Sequence, residues 1–244
     1  MSLAISKAIS LHARIHSVWM LVCSAAIVSV LGCSGGGGGG GEGGSSDSGS
    51  ETGVRVLHAA IDAAPVDVAS SLTTDVVSEG SRFAMSNFYH ELPNGTQTVS
   101  LVRARTPGRV VASAPVVVDS SSKLSFFIYG DSEFGLDSRV LEDSFPSQFQ
   151  GSLLRLVNGT TGASKINSVV SSAAGAPIQV STSYGDASEY IAVTPGVVSV
   201  SSSRAADGAS VNSTSLVLEE GRAYTVLIAG QVGYFVKGVV YNDN

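Results

Sequence analysis

The chain has almost none of the residue types that usually announce chemistry or a cross-linked scaffold. Its 244 residues include two Cys, one Trp, three Met and four His. Both Cys lie within the first thirty-three residues, at Cys23 and Cys33, so the rest of the chain can form neither a disulfide nor a Cys-based metal site. Charged residues are also scarce, at 14% against a usual quarter, which argues against long surface helices. Ser, Gly, Val and Ala take their place, a composition suited to short strands and many turns. With 43% hydrophobic residues the chain can still build packed cores, and its length allows one or two domains.

What is present begins with an address. Lys7 and Arg14 form a basic start without acidic residues, and an apolar run from Val18 to Leu31 follows, too short to span a bilayer comfortably. Residues 1–32 therefore read as a signal peptide. The run ends in Val30-Leu31-Gly32-Cys33, which resembles the bacterial lipobox, whose Cys is acylated and becomes the first mature residue. Ser34, seven glycines from Gly35 to Gly41 and a Ser/Gly stretch follow, with no apolar group to bury. Residues 33–52 thus read as a flexible tether with a reach of roughly 25 Å. A phosphate-cradling loop would need a Lys-Ser/Thr and a helix start after the glycines, and neither is there. The expected localisation is the bacterial cell envelope, lipid-anchored through Cys33. Ser34 in place of Asp resembles the sorting rule for the outer membrane.

Removing residues 1–32 also removes Trp19, Cys23, Lys7 and Arg14. Twelve Lys and Arg then face twenty Asp and Glu, a net charge of −8. Such a surface excludes nucleic acid as a partner and disfavours anionic lipid.

The remainder carries an internal repeat of about one hundred residues. Val54-Arg55-Val56-Leu57-His58 matches Leu154-Arg155-Leu156-Val157-Asn158, and Val116-Val117-Val118-Asp119 through Phe127-Ile128-Tyr129-Gly130 matches Leu216-Val217-Leu218-Glu219 through Leu227-Ile228-Ala229-Gly230. Between them, Ala64-Pro65-Val66-Asp67-Val68 aligns with Ala176-Pro177-Ile178-Gln179-Val180, and the segment from Pro93 with the segment from Pro195. Short β-branched and aromatic runs fill each copy, and Gln97 to Arg103 alternates with the period of a half-buried strand. Asn94-Gly95, Asn158-Gly159, Asp207-Gly208 and Glu220-Gly221 read as the turns between runs. The expected fold is all-β: two tandem Ig-like antiparallel β-sandwich domains of about seven strands each, residues 53–142 and 153–244. Ser144 to Gly151 joins them, and its two Phe residues should pack against a domain.

Several of these segments resemble the domain of unknown function 4397 family. They are Val54 to Ala59, Asp62 to Val68, Leu92-Pro93-Asn94-Gly95 and Gly221-Arg222-Ala223-Tyr224-Thr225-Val226. The resemblance covers most of residues 53–142 and 153–241, and it implies tandem β-sandwich repeats in a bacterial surface or secreted protein. It implies no activity.

Candidate chemistry is thin. His58, Asp62 and Asp67 cluster in sequence and could in principle bind a divalent metal or act as acid and base. The structural reading is the stronger one: Asp62 before Ala63-Ala64-Pro65 is a turn initiator and His58 a strand end, and the second copy places Asn158 and Gln179 at the positions of His58 and Asp67. There is no Gly-x-Ser-x-Gly elbow, and Ser120-Ser121-Ser122-Lys123 reads as a hairpin turn rather than a catalytic Ser-x-x-Lys. Asn158-Gly159-Thr160 and two similar sequons read as turns. The sequence thus points to a non-enzymatic surface or periplasmic envelope module without cofactors, a structural spacer or a binder of an envelope protein or glycan. The alternative is an envelope hydrolase or metal-dependent enzyme built on His58, Asp62 and Asp67.

Overall fold

A computed structural model describes residues 52–85, 88–106, 108–131 and 135–244. The expected signal peptide, Cys33 and the tether as far as residue 51 lie outside the described residues. Among those described, every regular element is a strand. In the first repeat these are β1 (Gly53–His58), β2 (Val66–Ser70), β3 (Val76–Ser81), β4 (Gly95–Arg103), β5 (Val110–Val118), β6 (Lys123–Asp131) and β7 (Gly135–Glu142). The second repeat has β8 (Ser152–Thr161), β9 (Lys165–Ser172), β10 (Ile178–Ser183), β11 (Asp186–Ala187), β12 (Ile191–Val193), β13 (Gly196–Arg204), β14 (Ser210–Leu218), β15 (Ala223–Gln231) and β16 (Phe235–Asn242).

Each repeat forms two sheets. The order is β3-β2-β4-β5 and β1-β6-β7 in the first, and β10-β9-β13-β14 and β8-β15-β16 in the second, where β11 and β12 both add to β8. The fold is all-β and sandwich-like, as the alternation implies. In β4, Gln97, Val99 and Leu101 are buried while Thr96 and Thr98 are exposed. The sheets are antiparallel except at one place in each repeat, where β1 lies parallel to β6 and β8 to β15. The long excursion through the other sheet supplies the crossover that a parallel pair requires.

Val54, Val56, Val99, Leu101, Phe126 and Ile128 belong to the core of the first repeat. Leu154, Leu156, Val198, Val200, Val226 and Ile228 form that of the second. A third apolar cluster joins them. Leu57, Ala59 and Phe127 from the first repeat meet Val157, Leu227, Ala229, Val239 and Tyr241 from the second. The sheets β1-β6-β7 and β8-β15-β16 therefore pack on each other through the faces turned away from their own sandwiches. This explains why β1 and β8 are buried along nearly their whole length and why β6 and β15 carry consecutive buried apolar residues, Phe126 to Ile128 and Val226 to Ala229: both faces are covered. The joining segment packs as its aromatics suggest, with Phe145 edge-on to Phe149 and to Tyr190 at ring-centre distances of 6.1 and 5.4 Å.

Two details of the sequence alignment are corrected by strand pairing. Val66 of β2 lies beside Arg103, and Ile166 of β9 lies beside Arg204, so the counterpart of Val66 is Ile166 and that of Asp67 is Asn167. Ala176-Pro177-Ile178 instead leads into β10, the equivalent of β3. Its likeness to Ala64-Pro65-Val66 reflects only that both follow loops that end in Pro. The second correction concerns Asn158-Gly159, which is not a turn: both residues lie inside β8, and Asn158 is fully buried. A Cβ at Gly159 would stand 2.2 Å from that of Ala59 and 3.3 Å from the Phe127 ring. The glycine is there for close sheet approach rather than for bending.

Candidate functional site

The three residues singled out from sequence occupy different settings. His58 ends β1 with its ring buried, Nε2 3.4 Å from the Ala64 carbonyl oxygen and Nδ1 without a partner among the described residues. Burial lowers its pKa, outweighing the Ala64 contact, so the ring is neutral at pH 7. Asp62 is exposed in the turn that follows. Asp67 sits half-buried on β2, where its Oδ1 accepts the Gly80 N–H at 2.7 Å. Among the described residues no group of three or more His, Cys, Asp and Glu is placed to hold a metal. In the second repeat Asn158 stands at the position of His58, and its Nδ2 donates to the Thr182 carbonyl at 3.2 Å.

The densest polar chemistry lies elsewhere, between the repeats. Arg55 and Arg155 occupy equivalent positions on β1 and β8 and point into the inter-repeat interface, each no more than 4% exposed. Each reaches across to the end of the other repeat. Arg55 Nη2 donates to Asp243 Oδ1 at 2.5 Å and its Nη1 to the Asn242 carbonyl at 3.2 Å. Reciprocally, Arg155 Nη2 pairs with Asp143 Oδ1 and its Nη1 donates to the Glu142 carbonyl at 3.2 Å. Arg55 also stands 3.3 Å from Asp143 Oδ2.

The remaining oxygens of both carboxylates are taken. Asp143 Oδ2 accepts from Tyr89 at 2.5 Å and Ser125 at 2.6 Å, and Asp243 Oδ2 accepts from Tyr190 and Thr225, each at 2.7 Å. The guanidinium groups lie over aromatic rings, Arg55 on Tyr89 at 4.7 Å and Arg155 on Tyr190 at 4.8 Å. Burial by itself would pull both arginine pKa values down, but the facing Asp carboxylates hold them above the ordinary value. Burial, reinforced by these carboxylates, likewise raises the Tyr89 and Tyr190 phenols well above the usual tyrosine range, so both hydroxyls stay protonated as donors.

Nearly every polar atom of this cluster is satisfied within it, which is how a buried charge pair avoids its desolvation cost. The arrangement can hold two sheets in register. The sequence did carry a signal for it: Arg55 and Arg155 lie at the same place in two otherwise apolar strands, and Asp143 and Asp243 keep the same offset of one hundred.

Repeat geometry and sequence agree at this point with a sequence family. The family described as Domain of unknown function (DUF4397) matches residues 52–168 and 152–244. The chain belongs to the DUF4397 family. No curated protein matches it by sequence. Among solved structures it is similar to the carbohydrate-binding module CBMbc (family CBM26) from Eubacterium rectale Amy13K, crystallised in complex with maltoheptaose. Identity is 10%, the alignment covers 77% of this chain and 95% of that one, and the TM-score is 0.26. At that score neither fold nor ligand is carried over to the DUF4397 chain.

Proposed function

We propose that this DUF4397 chain is a non-enzymatic module of the bacterial cell envelope, lipidated at Cys33 and held in the outer membrane, whose paired sandwiches present loops to an envelope protein or glycan. The observation that carries this reading is the destination of its buried charge. Arg55, Arg155, Asp143 and Asp243, the side chains best suited to chemistry, are committed to fastening one repeat to the other. Function then falls to outer faces and loop ends, which is how a rigid β scaffold ordinarily works. The hydrolase or metal-dependent alternative would need His58, Asp62 and Asp67 to converge, and their separate settings give it no support.

The test is to express wild type and Cys33→Ser in a Gram-negative host, fractionate the envelope, and capture partners with the acylated protein. Wild type should stay with washed outer membranes and the variant should be released, because several buried acyl chains at about 0.8 kcal/mol per CH₂ make attachment effectively permanent. Equal retention of the variant would overturn the anchoring. Turnover of ester, glycoside or peptide substrates that is lost in His58→Asn would overturn the non-enzymatic reading.

A further inference from the structure

We infer that the end of the first sandwich opposite Gly53 binds a saccharide that carries a carboxylate, with Arg103 and Arg109 as the groups that hold the acid. The inference rests on the module reading above and supplies its ligand class.

The strand directions place this site. From Gly53, β1 runs to His58 with β6 alongside in the same direction, Lys123 beside Gly53 and Ile128 beside His58. The turn after β1, Asp131 at the end of β6 and Gly135 at the start of β7 therefore share the far end. The β4–β5 hairpin joins them there, because Val66 pairs with Arg103 and the Ala104 N–H donates to the Pro65 carbonyl at 2.9 Å. A cleft of about 330 Å³ opens between the three, lined by Asp62, Arg103, Arg109, Val110, Asp131 and Leu136 among others. That is the lower end of the size range for small-ligand pockets, enough for one or two sugar rings.

The two arginines are set for an anion. The Arg103 N–H donates to the Arg109 carbonyl at 2.9 Å, which fixes the two stems on one hairpin, and neither guanidinium makes a salt bridge among the described residues. The matching hairpin of the second repeat shows what self-neutralisation would look like. Arg204, the counterpart of Arg103, is clamped by Asp207 through Nε at 2.9 Å and Nη2 at 2.5 Å, and Ala209 replaces Arg109. The hairpin of the first repeat carries three arginines, Arg103, Arg105 and Arg109, and no acid, on a chain whose net charge is −6.

The rest of the lining narrows the ligand. Asp62 and Asp131 border the cleft, and a carboxylate is an acceptor for hydroxyl donors. Val66, Val110, Val111 and Leu136 give an apolar wall for the C–H face of a ring. A carboxylate fits the planar guanidinium fork. An acid, several hydroxyls and an apolar face together describe an acidic sugar better than inorganic phosphate, which has no apolar face, or an acidic peptide, whose repeated carboxylates would meet Asp62 and Asp131.

The test uses the detergent-solubilised, lipidated full chain. It is titrated calorimetrically with di- and trisaccharides ending in galacturonate, glucuronate or N-acetylneuraminate, with their neutral counterparts, with inorganic phosphate and with a glutamate tripeptide. At least one acidic saccharide should bind about tenfold or more tighter than its neutral counterpart, phosphate and the peptide, as expected for a charge-assisted contact. Arg103→Gln with Arg109→Gln should lose that preference while keeping the wild-type melting temperature, and Arg204→Gln should keep it. The inference is overturned if no acidic saccharide binds, if phosphate or peptide binds as well, or if the double variant keeps the preference. Because the titration is independent of anchoring, its failure leaves the Cys33 fractionation result standing, and the converse holds too.

Discussion

Replacing Asp143 by Asn should destabilise the protein far more than a surface substitution would, and the expected size follows from the cluster. Asp143 is fully buried at its side chain and faces Arg155 through one oxygen and Arg55, Tyr89 and Ser125 through the other. The wild-type cluster balances two guanidinium groups against two carboxylates. Asn keeps the shape and one acceptor but leaves a net positive charge out of water. Removing one member of a buried pair costs about 3–5 kcal/mol, a large part of the roughly 5–15 kcal/mol that holds a typical domain. Arg155→Met in the Asp143→Asn background restores charge balance. The double variant should therefore be more stable than the sum of the two single effects implies, with a coupling of about 1–3 kcal/mol. Urea unfolding of the mature Cys33→Ser protein, followed by far-UV circular dichroism, measures all four corners of the cycle. A loss below about 1 kcal/mol for Asp143→Asn, or additive single effects, would mean that water reaches these charges and that the cluster is no lock. Asp243→Asn should behave alike, since Asp243 serves Arg55, Tyr190 and Thr225 in the same way.

Burial depresses the His58 pKa, so the unfolded chain takes up a proton that the folded chain refuses; stability should be full above about pH 6.5 and fall as pH drops below it. Thermal melts between pH 7.5 and 5 should show this slope, and His58→Asn, borrowing the residue at position 158, should flatten it; an unchanged slope would place the titration elsewhere. Gly159→Ala should cost about 1–3 kcal/mol in urea unfolding, because the new methyl would overlap Ala59 and press on Phe127. Once the signal is removed, emission should be of tyrosine type with no tryptophan band, and a reducing agent should leave the melting temperature unchanged.

The sequence displayed the strands, the repeat and the alternation, because these depend on local periodicity and on turn residues. The paired runs from Val116 and Leu216 survive as β5 into β6 and β14 into β15. It did not display the interface. Doubly buried strands read only as more hydrophobic ones, and Leu57, Phe127 and Leu227 carry no mark that they face a second sheet rather than their own core. Arg55 and Arg155 look like edge or surface residues until the opposite sheet is in place, because their partners lie 188 and 12 residues away in the chain. Asn158-Gly159 misled for a related reason: the dipeptide that favours a turn also supplies a small residue for close packing. The parallel pairs were equally hidden, since pairing direction depends on the path of the intervening chain.

The reciprocal contacts define an isologous interface, in which what Arg55 does to the second repeat Arg155 does to the first. In such an interface the positions nearest the twofold axis meet their own counterparts. Ala59 and Gly159 are counterparts at the offset of one hundred, and they are in contact across the interface. Two identical copies would have to place the same residue on both sides of that contact. Two alanines would collide, and two glycines would loosen both strands and give up apolar contact. A tandem chain escapes the choice because its two positions mutate independently: one side keeps a methyl group in the shared apolar cluster and the other gives way to it. The same freedom shows at the hairpins, where Arg204 is neutralised by Asp207 while Arg103 is joined by Arg109. Joining the copies in one chain thus does more than raise their local concentration. It lets the interface pack more closely than a symmetric dimer could, and it lets one loop end take on a charge that its twin does not share.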